Sequence, residues 1–152
     1  MGAIHHSTVL ARGQPWRAMT TGMMRAMLAE SDGALRRDQT AARVAICTGV
    51  VFIFAGLAKF AFHAWELRAF RAFGLPWPSA TEILAGALET VGGGLLVLRL
   101  LMVPVAVILA VTMVVAIGAS GVGHGDVIPS LTLAPALLAA MVFLLIRARE
   151  PA

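Results

Sequence analysis

The sequence predicts an all-α integral membrane protein: a four-helix up-down bundle with a short interfacial helix between spans one and two. Three observations carry that expectation. Apolar residues make up 59% of the 152-residue chain and charged residues only 13%, where a soluble domain has roughly 25% charged residues. Beyond Val44 the chain reads as successive apolar runs of about bilayer length. Its arginines gather at the ends of those runs, where basic residues set membrane topology.

Taken in order, residues 1–41 form a basic cytoplasmic leader, with residues 1–13 expected to be disordered. Within it, residues 15–30 carry Trp16, Met19, Met23, Met24, Met27 and Leu28 near a three-to-four spacing, with Pro15 suited to a first helical turn. That pattern predicts an amphipathic helix on the cytoplasmic leaflet; a partly disordered tail is the alternative. A four-span membrane domain occupies 42–147, and 148–152 are a short tail.

The first span covers 44–62, about 28 Å of helix, with Lys59 near its far end where the stem can snorkel. Its Cys47 is expected as a small packing residue; a lone cysteine excludes an internal disulfide and any CxxC redox pair. In 62–73, Phe62, Trp65, Phe70 and Phe73 interleave with His63, Glu66, Arg68 and Arg71, which suits a helix at headgroup level. Pro76 and Pro78 end it. The second span is 81–98, with Ser79 or Thr81 as N-cap. Arg99 leaves a short turn before the third span, 101–118, which predicts a helical hairpin with Pro104 in its first turn. A glycine-rich loop, 118–126, leads to the fourth span, 127–146, where Pro135 is expected to kink the helix.

Orientation follows from the basic residues. Placing Arg36, Arg37, Arg43, Arg99, Arg147 and Arg149 inside leaves Lys59, Arg68 and Arg71 outside, so both termini are expected to be cytoplasmic. No basic stripe interleaves with aromatics on a soluble face, which argues against nucleic-acid binding despite the formal charge of +4. A single lysine among 12 basic residues, with neither Asn nor Tyr, suggests a bacterial, GC-rich source and hence the inner membrane.

The second span holds the candidate chemistry. Glu82 and Glu89 are a heptad apart and share a helix face with Gly86 and Gly93. Carboxylates facing acyl chains are costly, so this face is expected to look inward, with the glycines admitting a neighbouring helix. Helical rise puts Lys59 level with Glu82, a candidate ion pair, and leaves Glu89 isolated about 10 Å deeper. On the functional reading, Glu89 exchanges protons beside a quinone-sized pocket, with Lys59, Glu82 or His63 assisting above it. On the structural reading, Glu89 bonds to Thr48, Thr112 or a backbone carbonyl and ties helices together. His63 with Glu66, and His124 with Asp126, are too sparse for a metal, which wants three or four convergent ligands.

Several motifs resemble those of one family. Residues 54–60 (Phe-Ala-Gly-Leu-Ala-Lys-Phe) are similar to its SGLxKL-type stretch, with Ala55 in place of the usual Ser. Residues 74–78 resemble its GxPxP-type loop, residues 89–96 its ExxGGxLL-type second helix, and His124 stands where it tends to have a histidine. Across about 43–147 the chain therefore resembles the DoxX family, which includes DoxD-type and MauE-type members. The glycine-rich, SLD-like ending of that family is missing, and the leader has no counterpart in it.

That resemblance implies a four-helix membrane fold. It also implies a role as an accessory or quinone-adjacent subunit of a membrane oxidoreductase assembly, as DoxD-type proteins are subunits of thiosulfate:quinone oxidoreductase. Any enzymatic part would be as such a subunit, with no covalently bound cofactor, quinone as the candidate ligand and electrons supplied by a redox partner. Besides the bilayer and redox-protein subunits, a second copy of the chain is a candidate partner. The alternatives are a non-catalytic scaffold or maturation factor, as for MauE-type members, and a small transporter or channel.

Overall fold

A computed structural model describes residues 15–72, 74, 76–121 and 128–150. They form six helices and no strand: α1 (Pro15–Arg37), α2 (Gln39–Ala61), α3 (His63–Ala72), α4 (Pro78–Val97), α5 (Met102–Gly121) and α6 (Ile128–Arg147). Three of them, α2, α4 and α5, are long and apolar enough to cross a membrane, and α6 carries a shorter apolar stretch, Thr132–Arg147. The expected disorder of 1–13, and the positions of His124 and Asp126, lie outside the described residues.

Each break has a local cause. Asp38 alone separates α1 from α2: its backbone is extended, and its carboxylate accepts from the N–H groups of Thr40 at 2.8 Å and Ala41 at 3.3 Å. That cap satisfies two of the free N–H groups of the first turn, so the helix of the first span begins at Gln39, earlier than the apolar run suggested. The leader helix runs on to Arg37, well past Glu30. Arg147 closes a fork onto the same carboxylate, with Nε at 2.8 Å and Nη2 at 2.7 Å, pinning the end of α6 to the start of α2. The guanidinium's hydrogen bond holds the Asp38 carboxyl below its ordinary range.

The start of α4 differs from the expected N-cap. Trp77 occupies that position with φ 46° and no side-chain cap, and Pro78 opens the helix. Proline's fixed φ and missing N–H suit that first position, which pulls the helix start ahead of Thr81. The Thr81 hydroxyl instead donates to the Pro76 carbonyl at 2.7 Å. At the other end, Leu100 N–H bonds to Leu95 O at 2.8 Å and Arg99 N–H to Leu96 O at 3.0 Å. This is a Schellman arrangement with Arg99, at φ 57°, where glycine is commonest. It ends α4 within a few residues of α5, as the expected hairpin requires. The helix of the expected third span, α5, extends to Gly121, past the expected end at Gly118.

Where α2 meets α4, small groups form the contact. Gly49 and Gly56 of α2 meet Gly93 and Gly86 of α4, so the two helices run antiparallel with backbones in contact. A Cβ on Gly56 would stand 2.6 Å from Gly86 O, and one on Gly49 2.7 Å from Gly93 O. Phe54, 69% exposed, and Val91, 62% exposed, face outward from the same two helices. Such an arrangement suits lipid, where close packing rather than water exclusion joins helices. Cys47 faces outward too, against its expected packing role, because Gly49 and Ala45 take the α2 positions nearest the neighbouring helices. Leu109, Met113, Leu137, Met141 and Leu144 fill the core with Phe52, Leu96 and Leu35. Leu35 makes the end of the leader helix part of that core.

Candidate functional site

The inward face of α4 is the one its sequence marked. Glu82, Gly86, Glu89 and Gly93 recur at helical spacing, and all are buried, Glu82 to 1% and Glu89 to 4% exposure. Phe60 packs over Gly86.

The ionic partners differ from the expected ones. Lys59 donates to Glu89 Oε2 at 2.7 Å. Glu82 pairs with His63, whose Nδ1 stands 2.9 Å from Oε1 and 2.8 Å from Oε2. The isolated carboxylate is therefore neither acid, and Lys59–Glu82 is not the pair. The reason is the tilt of helical side chains toward the N-terminus of their own helix. In antiparallel helices this swings Lys59 of α2 inward and Glu89 of α4 outward along the axis, so they meet between their backbone levels. The same tilt carries Glu82 up to His63, the first residue of α3. One ring nitrogen serves both Glu82 oxygens, so Oε2 stays buried without a well-aligned donor of its own.

Neither threonine considered for Glu89 reaches it. Thr48 Oγ1 donates to Val44 O at 2.7 Å and Thr112 Oγ1 to Leu109 O at 2.8 Å. Both hydroxyls satisfy themselves within their own helix, as Thr90 does with Gly86 O at 2.8 Å.

The Lys59–Glu89 pair borders a cavity of about 510 Å³ enclosed by α2, α3, α4, α5 and α6. Its wall is mostly apolar, from Leu84 and Leu88 of α4 to Met113 of α5 and Leu137 of α6. The size falls within the range of small-molecule sites, roughly 300–1,000 Å³. One side is closed by Phe62, at the C-cap of α2, and by Trp65, Glu66, Ala69 and Phe70 of α3. Those positions follow the i, i+3, i+4, i+7, i+8 rule, so their inward face was readable from spacing alone. Glu66, expected at headgroup level near His63, thus joins the site. Burial pushes the Glu66 carboxyl above its ordinary range, Lys59 opposes that, and the charges of Glu89 and Glu82 add to it. Glu82 and His63 lie beside this wall rather than on it. Among the described residues no cluster of three ligating side chains forms a metal site.

A family model, DoxX, matches residues 40–125, more than half of the chain. The chain belongs to the DoxX family. That match covers α2 from its second residue and the whole of α3, α4 and α5, and so includes Lys59, His63, Glu66, Glu82 and Glu89 of this DoxX-family membrane protein. Comparison with curated proteins and with solved structures finds no match.

Proposed function

We propose that this DoxX-family protein is a four-span, up-down bundle of the bacterial inner membrane with both termini cytoplasmic. In this reading it serves as an accessory, quinone-adjacent subunit of a membrane oxidoreductase assembly. The observation that carries the reading is the cavity of about 510 Å³, mostly apolar with Lys59, Glu89 and Glu66 as its charged lining. A quinone supplies two-electron chemistry coupled to two protons, and it requires an apolar slot with hydrogen-bond donors at one end. Trp65, Phe62 and Phe70 put aromatic rings on the cavity lining, which suits a flat headgroup. Lys59 Nζ offers a donor to a carbonyl oxygen, and the Glu89 carboxylate can hold and return a proton. Electrons come from a partner subunit.

The test uses the full-length protein in nanodiscs and a short-tailed quinone, followed by quenching of tryptophan fluorescence. Saturable binding is expected, weakened at least tenfold both by Glu89→Gln and by Ala69→Trp, which fills the cavity from α3. Non-saturable quenching, or equal affinity in all three proteins, overturns the reading. The scaffold alternative draws on the same Lys59–Glu89 contact as a purely structural tie between α2 and α4. It predicts that capture of partner subunits from native membranes survives Glu89→Gln while quinone binding is absent from the start.

A further inference from the structure

A second cavity, of about 430 Å³, lies between the leader helix and the start of α5, at the end of the molecule away from the quinone-sized cavity. It is lined by Arg25, Leu28, Ala29, Asp32, Gly33 and Arg36 of α1, with Leu101 and Pro104 opposite. The α1 positions follow i, i+3, i+4, i+7, i+8, i+11, a single helix face with an arginine at each end, their Cα atoms about 16 Å apart along the axis, a gap that two extended arginine side chains can close around one phosphate. Between the arginines the face carries only Leu28, two small residues and Asp32. At Gly33 there is open space, since a Cβ would meet nothing within 4 Å.

The charges in this groove are unequally used. The Asp32 carboxylate accepts from Val103 N–H at 2.9 Å, satisfying a free N–H in the first turn of α5, where a negative charge is favoured. Among the described residues neither the Arg25 nor the Arg36 guanidinium has a carboxylate partner. Arg99 adds a third guanidinium at this end: it donates to the Arg36 carbonyl, and its Nε is buried without a hydrogen-bond partner. The groove is thus cationic at its rim and apolar at its floor. It opens where α5, a membrane-length helix, begins.

We propose that this groove binds one anionic phospholipid, its phosphate on the Arg25 and Arg36 guanidinium groups and the start of an acyl chain against Leu28, Leu101 and Pro104. The chemistry selects this occupant. A phosphate alone uses the arginines and leaves the apolar floor wet, while a zwitterionic lipid brings an ammonium group among unpaired guanidinium groups. Juxtamembrane arginines are drawn to an anionic leaflet. A bound lipid would also hold α1 onto α5, which the Asp32–Val103 contact and the buried Leu35 already join at one end.

The test uses the full-length protein in neutral detergent with fluorescent phosphatidylglycerol, followed by anisotropy, with unlabelled competitors. Saturable binding is expected, displaced by phosphatidylglycerol at concentrations at least tenfold below those needed with phosphatidylcholine, and not displaced by inorganic phosphate. Arg25→Gln with Arg36→Gln should weaken it at least tenfold. Gly33→Leu fills the groove while keeping both arginines, and glycine-to-leucine favours a helix; it should weaken binding to the same degree with a Tm no lower than wild type. Equal competition by phosphatidylcholine overturns the proposal. So does displacement by millimolar phosphate, which would make this a free-anion site. Wild-type affinity in either the double-arginine variant or Gly33→Leu also overturns it.

Discussion

Removing Lys59 should cost this protein far more than neutralising Glu89, although the two residues form one contact. At 2.7 Å and an effective dielectric near 20, unit charges attract by about 6 kcal/mol. Taking both ions out of water costs several kcal/mol each, so the intact pair contributes little net stability. Lys59→Met leaves a carboxylate on a residue only 4% exposed with its cation gone, a loss of roughly 3–5 kcal/mol. Glu89→Gln leaves an ammonium group on a flexible stem near the end of α2. With 17% side-chain exposure it can swing to the interface, and the loss should be about 1 kcal/mol. Lys59→Met combined with Glu89→Leu removes both charges and should lie near wild type. Thermal unfolding of the full-length protein in nanodiscs at pH 7 measures the order. A Tm drop of roughly 6–20 °C is expected for Lys59→Met, a few degrees for Glu89→Gln, and little change for the double variant. Equal drops for the two single variants, or a double variant worse than either, would refute the reasoning.

Two further outcomes follow from the same end of the bundle. Gly56→Ala sets a methyl 2.6 Å from Gly86 O, a backbone atom that cannot turn aside, so α2 and α4 must separate. Overpacking costs typically 1–3 kcal/mol, and Tm should fall accordingly, whereas Gly22→Ala, with open space around it, should not lower Tm. Glu66→Gln tests the raised carboxyl. A group that binds its proton more tightly when folded gives stability at low pH that is lost as pH rises through its raised value. Gln cannot ionise, so the variant's Tm should match wild type near pH 4 and exceed it near pH 8; parallel Tm–pH curves would show Glu66 to be unperturbed.

The class of the protein was legible because composition and periodicity depend on the solvent each residue meets. Low charge and membrane-length apolar runs leave little choice but lipid-facing helices, and α2, α4 and α5 meet that expectation. The inward face of α4 was legible for the same reason, since a carboxylate facing acyl chains is penalised wherever the other helices stand. Helix starts were less so. Asp38 and Trp77 set them through capping geometry and backbone angles, which apolar runs do not report.

By itself the sequence determined that Glu82 and Glu89 are enclosed and that glycines let a helix approach them. Only the tertiary structure decided which cation meets which acid. That choice depends on two tilts and one antiparallel register, which bring Lys59 to Glu89 and His63 to Glu82. It also decided that Glu66 belongs to the cavity and that Arg25 and Arg36 share a groove with α5. Burial is a property of one helix face, which spacing encodes; a contact needs the position and rotation of a second helix, which only packing supplies.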